Sequence, residues 1–246
     1  MSYSTANIDT IMLFAAGRGS RMAHLTATGP KSLIFIAGQP ILHHALDLCK
    51  TYQFKRIVIN THYFHDQIMN SIDTYRKNNL DFPEIVNVYE EELLETGGAI
   101  KNAISVLGDK PIFTLNTDVI LKADYNVFHD MISSWDPVEM DFLLLMQPYD
   151  QAVGYTSKGD FDFDQDNRLI RPGLDEVKQN YSYMYTGLSI LNPSKIVLNP
   201  LRVFSLKEYY FNNDKLFGIK TRNAKWYHAT HPSDVLKIDE AYSKVT

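Results

Sequence analysis

The first half of this chain alternates short apolar runs with stretches of helical periodicity, and no other feature constrains the fold as much. Ile11–Ala16 reads as a buried strand running into a glycine-rich loop. Pro40–Tyr52 reads as a helix with proline in its first turn. Arg56–Asn60 (RIVIN) is strand-like, Phe64–Lys77 is helical, and Ile85–Tyr89 and Pro111–Asn116 are two further strands with a helix from about Gly98 to Leu107 between them. Strands separated by helices must pair in parallel through right-handed crossovers, so the expected fold is α/β, a doubly wound, mostly parallel Rossmann-like sheet. The second half is less regular. Asp141–Gln147 and Tyr183–Leu191 read as strands, Phe161–Ile170 as a hairpin turning at DQDNR, and Leu206–Asn212 and Pro232–Ser243 as helices. No internal repeat and no linker rich in Gly, Pro and Ser interrupts the 246 residues, so one domain is expected, with the second half adding a small antiparallel lobe.

Charge and cysteine usage narrow the partners. A net charge of −5 argues against a nucleic-acid binder, which would carry a basic face. It leaves room for an anionic small substrate, because a few local cations and backbone amides outweigh distant carboxylates. Cys49 is the single cysteine, so no intramolecular disulfide can form, and a buried thiol in a reducing compartment is expected. Met1–Thr10 lacks the basic start and apolar stretch of a signal peptide, and no apolar run approaches the roughly 20 residues of a membrane helix. The expectation is a cytoplasmic protein, monomer or homodimer, without membrane or nucleic-acid partners. No C-terminal extension long enough for a second catalytic domain is seen, so a bifunctional enzyme is not expected.

The segment Leu13-Phe-Ala-Ala-Gly-Arg-Gly-Ser-Arg-Met22 follows the first strand directly. Small residues let main chain approach a ligand closely, and successive N–H groups in such a loop can form an anion-binding nest. Arg18, Arg21 and Lys31 place cations around it. The spacing is neither GxGxxG nor GxxxxGK[ST], so a dinucleotide-binding fingerprint is weak and a P-loop is excluded. A tight turn alone would also explain the glycines, but not the cations beside them.

AAGRGSRM, with Pro30-Lys31-Ser-Leu and Ala37-Gly-Gln-Pro-Ile41 after it, resembles the opening of the sugar-1-phosphate nucleotidyltransferases. The likeness continues in order through Asn60-Thr-His62, Leu94-Glu-Thr-Gly-Gly98, Asn116-Thr-Asp118, Gly159-Asp-Phe161, Tyr185-Thr-Gly187 and Lys225-Trp226…Pro232. Within that family the chain looks most like the short N-acetylmuramate 1-phosphate uridylyltransferases, with mannose-1-phosphate guanylyltransferases next. The resemblance implies in-line attack of a sugar 1-phosphate on the α-phosphorus of a nucleoside triphosphate, UTP favoured, with Mg²⁺ as cofactor. It implies that Ala15, Ala16, Gly17, Arg18 and Gly19 hold the nucleotide, that Arg21 grips the departing pyrophosphate, and that Lys31 neutralises the α-phosphate. Gly97 and Gly98 would let base or ribose lie against main chain, Asp118 would bind the metal, and Asp160, Thr186 and Gly187 would lie near the sugar. His62 reads as a loop-fixing residue.

Three positions depart from the family pattern. Its closing W-[VHL]-D-V-G-T, whose aspartate is the second metal ligand, is Trp226-Tyr-His-Ala-Thr-His231 here, so His228 stands at the metal position. Imidazole is a poor ligand for Mg²⁺ and a good one for Mn²⁺ or other transition metals. Thr117 replaces a glycine, and Ser32 the second proline of PKPL. Activity through Asp118, phosphates and water alone, activity with a softer metal on His228, and nucleotide binding without turnover all follow from the sequence. The survival of Arg21, Lys31, Gly97, Gly98 and Asp118 favours activity. Guanylyl transfer to mannose 1-phosphate and cytidylyl transfer to phosphocholine are the alternatives within the enzyme class.

Overall fold

Apolar runs such as Ile57-Val-Ile59 have no polar face to show to water, so both faces of the strands that carry them must be covered. The computed structural model describes residues 7–153, 159–170, 181–211 and 213–244. Its elements begin with β1 (Thr10–Phe14), β2 (Phe35–Ile36), β3 (Gln39–Pro40), α1 (Ile41–Cys49), β4 (Arg56–Thr61), α2 (His65–Lys77), β5 (Glu84–Tyr89), α3 (Glu95–Asn102), α4 (Ile104–Leu107), β6 (Ile112–Asn116), β7 (Val119–Ala123) and α5 (Val127–Ser134). There follow β8 (Phe142–Pro148), β9 (Ala152–Val153), β10 (Asp162–Phe163), β11 (Leu169–Ile170), β12 (Tyr183–Leu191), α6 (Pro193–Ile196), α7 (Lys207–Phe211), β13 (Leu216–Lys220), β14 (Ala224–His228) and α8 (Pro232–Tyr242).

Among the described residues the main sheet has the strand order β13-β8-β12-β6-β1-β4-β5. Neighbours are parallel except at β12, which runs against both β6 and β8. Alternate residues of each strand serve opposite cores. Ile11, Leu13, Ile57 and Ile59 cluster with Leu42 of α1, Ile68 of α2 and Phe128 of α5. Met12 and Val58 cluster with Ala99 and Ile100 of α3 and Leu107 of α4 on the other face. Each such side chain contributes about 1.5–3 kcal/mol of burial. The sheet is therefore wound on both faces. Cys49 lies fully inside the first core, and burial pushes its thiol well up.

A second sheet pairs β14 antiparallel with β7 and parallel with β9. Ile238 of α8 packs on it with Ile120, Tyr227 and Ile36. β6 ends at Asn116, the chain passes through Thr117 and Asp118, and β7 leads into this second sheet. The Ala229 N–H donates to the Asp118 carbonyl at 3.1 Å, which fixes the end of β14 beside that turn.

The strands expected from sequence match within a residue or two at their ends, and DQDNR turns a hairpin between β10 and β11. Two helices differ. α1 begins after Pro40, which closes β3, and α3 begins at Glu95 rather than Gly98, its glycines lying inside the first turn. β7, α5, β13 and β14 lie where the pattern gave no expectation. The readings of Met1–Thr10 and of the end of Leu206–Asn212 fall partly outside the described residues. Among those described, no helix is long and apolar enough to cross a membrane.

Candidate active site

A cavity of about 460 Å³ opens at the carboxyl ends of β1, β4, β5 and β6, where doubly wound sheets place ligands. Phe14–Arg21, Lys31, Ser32, Asn60, Glu90, Leu93, Glu95, Thr96 and Asn116–Asp118 line it. Arg21, Lys31 and Asp118, expected to act together from positions far apart in sequence, share this one cleft.

The loop after β1 is held by its own Met22 N–H, which donates to the Gly19 carbonyl at 2.8 Å, and by its neighbours. Ala15 and Ala16 are buried, and the Ala15 N–H donates to Asn60 Oδ1 at 2.9 Å. Ala15 thus shapes the loop while its amide is turned away from any ligand. Gly17 has open space where a Cβ would stand. Gly19 takes φ +66°, and a Cβ there would come within 2.7 Å of Lys31 Cβ. That contact is why glycine precedes the cationic turn: it lets the lysine stem lie against the loop. Arg21 is exposed on the cavity rim, whereas the Arg18 guanidinium rests 5.7 Å from the Tyr63 ring centroid.

Lys31 Nζ donates to Asp118 Oδ2 at 2.8 Å, and His228 Nε2 stands 3.4 Å from the same oxygen. Asp118 Oδ1 is buried without a hydrogen-bond partner. Burial alone would push this carboxyl up, but the Lys31 ammonium and the His228 ring outweigh it and hold it well below the usual carboxylate range. His228 is oriented by stacking on Trp226, ring centroids 5.5 Å apart, and Asp234 braces the following turn through the amides of Thr230 and His231. The two departures at the same end are structural in effect. Thr117 Oγ1 donates to the Phe14 carbonyl at 2.7 Å, tying β6 to the loop, and Ser32 is buried with its hydroxyl unpaired. His62 Nδ1 lies 2.8 Å from the Glu90 carbonyl, the loop-fixing position.

Across the cavity, Gly97 and Gly98 pack against the protein's own chain. Both are buried, both amides donate to the Phe204 carbonyl, and neither lines the cleft. A Cβ at Gly97 would sit 2.3 Å from the Phe204 ring, and one at Gly98 2.3 Å from the Arg202 carbonyl oxygen. These glycines admit the 202–204 segment. The wall itself is Leu93, Glu95 and Thr96, with Glu95 held at φ +62°.

The residues expected near a sugar also have internal partners. Asp160 Oδ2 accepts from the Tyr185 N–H at 2.9 Å, and Thr186 Oγ1 donates to the Leu145 carbonyl at 2.9 Å. Gly187, at φ +89°, packs on Asn116 where a Cβ would come within 3.0 Å. None of the three lines the cavity, although Gly187 supports its floor.

Sequence reasoning missed Asn60, Glu90, Glu95, Thr96 and Asn116. Glu90 was the hardest to find, since it opens an acidic run that reads as a solvated loop yet is only 1% exposed. Asn60 and Asn116 carried a usable signal, as polar residues that each end an apolar parallel strand.

Compared with known proteins, the chain matches the nucleotidyl transferase family over residues 10–156, a span that contains every residue lining the cavity. It is 31% identical over 196 residues to the N-acetylmuramate alpha-1-phosphate uridylyltransferase of Caulobacter vibrioides, covering 79% of this chain and 80% of that one. The N-acetylmuramate alpha-1-phosphate uridylyltransferase of Neisseria meningitidis serogroup B is 31% identical over 186 residues, 74% of each chain. HddC from Yersinia pseudotuberculosis, solved in complex with GMP-PN, shares the fold at a TM-score of 0.75 and 25% identity, over 96% of this chain and 100% of that one. On the family match and these relatives, the chain belongs to the nucleotidyl transferase family.

Proposed function

We propose that this chain, acting as one domain, transfers the uridylyl group of UTP to N-acetylmuramate 1-phosphate and releases pyrophosphate. The observation that carries this reading is the convergence of Arg21, Lys31 and Asp118 on one cavity of a size suited to a nucleotide. The two relatives at 31% identity support uridylyl and N-acetylmuramate 1-phosphate over other pairs.

Two polyanions must meet, so the work is charge neutralisation and alignment. A phosphate oxygen of the sugar 1-phosphate forms a bond to the α-phosphorus. The bond from that phosphorus to the α–β bridging oxygen breaks, and pyrophosphate leaves with the electron pair. Lys31, a mobile point charge, sits where it can offset charge building on the α-phosphate. The Arg21 fork suits bidentate contact with the departing pyrophosphate. The Gly17–Gly19 main chain borders the phosphates, and no protein nucleophile is required.

The orphaned Asp118 Oδ1 fits a hard cation. Among the described residues no group of three or more His, Cys, Asp or Glu converges on a metal position. Asp118 would therefore hold Mg²⁺ with phosphate and water oxygens, and the cation would supply further charge neutralisation. His228 is placed to join when the metal is Mn²⁺. This reading puts the reaction in the cytoplasm.

The likeness to a protein solved with GMP-PN favours a second reading, guanylyl transfer, with mannose 1-phosphate as the first acceptor to test. A pyrophosphate-release matrix of four nucleoside triphosphates against several sugar phosphates, in Mg²⁺ and in Mn²⁺, separates the two. UTP with N-acetylmuramate 1-phosphate should give the highest kcat/KM. Release only with GTP would replace the first reading by the second, and silence across the matrix would remove both.

A further inference from the structure

A buried chain of hydrogen bonds joins the two walls of the cavity. Ala15 N–H donates to Asn60 Oδ1 at 2.9 Å, Asn60 Nδ2 donates to Glu90 Oε1 at 2.8 Å, and Leu94 N–H donates to Glu90 Oε2 at 3.1 Å. Asn60 is 4% exposed and Glu90 1%. The sheet sets their spacing, since β4 and β5 are parallel neighbours and the Glu90 N–H donates to the Thr61 carbonyl at 2.8 Å.

The polarity of this chain is forced. A backbone amide can only donate, so Asn60 must turn its oxygen to Ala15 and its NH₂ to Glu90. Glu90 must then accept on one side from Asn60 and on the other from Leu94. A carboxylate accepts on both sides, whereas a glutamine of the same volume cannot. We propose that Asn60 and Glu90 are a positioning pair for nucleotidyl transfer: together they fix the Ala15 amide, and with it the loop that receives the phosphates, against the start of α3. This rests on reading the cavity as the nucleotide site. Neither residue need touch a reacting atom. Burial raises the Glu90 carboxyl, and the bonds from Asn60 and Leu94 draw it back, as expected of a buried acceptor kept for its geometry.

The test exchanges the polarity. In Glu90→Gln, however the two amides turn, two donors face each other at one of the three contacts. Asn60→Asp alone sets two carboxylates face to face. In the double variant Asn60→Asp with Glu90→Gln, every donor again meets an acceptor and the net charge of the pair is unchanged. Two readouts apply: hydrogen exchange at the Ala15 and Leu94 amides, the two ends of the chain, in the free protein, and steady-state kinetics with the nucleoside triphosphate varied. Glu90→Gln should exchange at least one of the two amides about tenfold faster and raise KM about tenfold with a smaller change in kcat, the scale of one mispaired buried donor. The double variant should recover both to within about threefold.

Unchanged exchange and KM in Glu90→Gln would overturn the proposal, as would a double variant no better than the single one. Should Glu90→Gln not fold, the double variant decides: it must fold and protect Ala15, and failure sinks the idea. Exchange reads the pairing without nucleotide. A protein that shows the exchange pattern yet turns over no substrate therefore refutes the functional reading and leaves the pairing standing.

Discussion

Two pairs of glycines flank the cavity, and they do opposite work. Gly17 faces open space, and Gly19 makes room for the Lys31 stem, so the first pair opens a cationic loop toward the cleft. Gly97 and Gly98 lie in the first turn of α3, filled over by the Phe204 ring and the Arg202 carbonyl. In sequence both read as places where something approaches main chain closely. What the structure brings to them differs: open cleft at Gly17 and the Lys31 stem at Gly19 on one wall, the protein's own 202–204 segment on the other.

The largest effect should come on the open wall, where Lys31→Ala or Asp118→Ala lowers turnover about a thousandfold while circular dichroism stays unchanged. Near-normal turnover in both would mean that the chemistry lies elsewhere. On the filled wall the loss should be of stability. Gly98→Ala drives a methyl into a backbone oxygen and should cost about 3 kcal/mol in denaturant unfolding. Gly97→Ala meets a side chain instead, so its cost should shrink in a Phe204→Leu background, whereas that of Gly98→Ala should not. Equal behaviour of the two would erase the distinction between ring and carbonyl as neighbours. Gly17→Ala should leave the melting temperature within about a degree and raise KM for nucleotide about fivefold, because its methyl has room and points to the cleft. The smallest effect concerns Glu95, a non-glycine residue in left-handed backbone on the cavity wall. Glu95→Gly should gain about 0.5–1 kcal/mol of stability, measured by the same unfolding assay, by relieving that conformation.

The same contrast explains what could be read in advance. β1, β4, β5 and β6 were legible because a strand buried on both faces is a continuous apolar run. That Arg21, Lys31 and Asp118 share a cleft was legible only from the ordered motifs that carry the family resemblance, since no local periodicity brings them together. Gly97, Gly98, Asp160 and Thr186 have partners that no local pattern announces, because they arrive from other segments: Phe204, Arg202, Tyr185 and Leu145. The start of α3 was set late for the same reason. Two glycines argue against helix locally, and only the packing of Phe204 over them makes that turn worthwhile. β7 and β14 escaped notice because Lys122 and Lys225 interrupt them, so neither is the continuous apolar run that marked β1 and β6.

The irregularity in β12 has a mechanical consequence. Pairing with β8 shifts register between Tyr185 and Ser189, and only the part from Leu188 onward also pairs with β6. Gly187 sits in that bulge against Asn116, and the Trp226 indole donates to the Thr186 carbonyl at 2.9 Å. The reversed strand of the described main sheet is thus one joint between the strand that ends beside Asp118 and the sheet that ends at His228. The β7–β14 ladder, which pairs Val119 with His228, is a second, so a load that slides one sheet over the other carries aspartate and imidazole together.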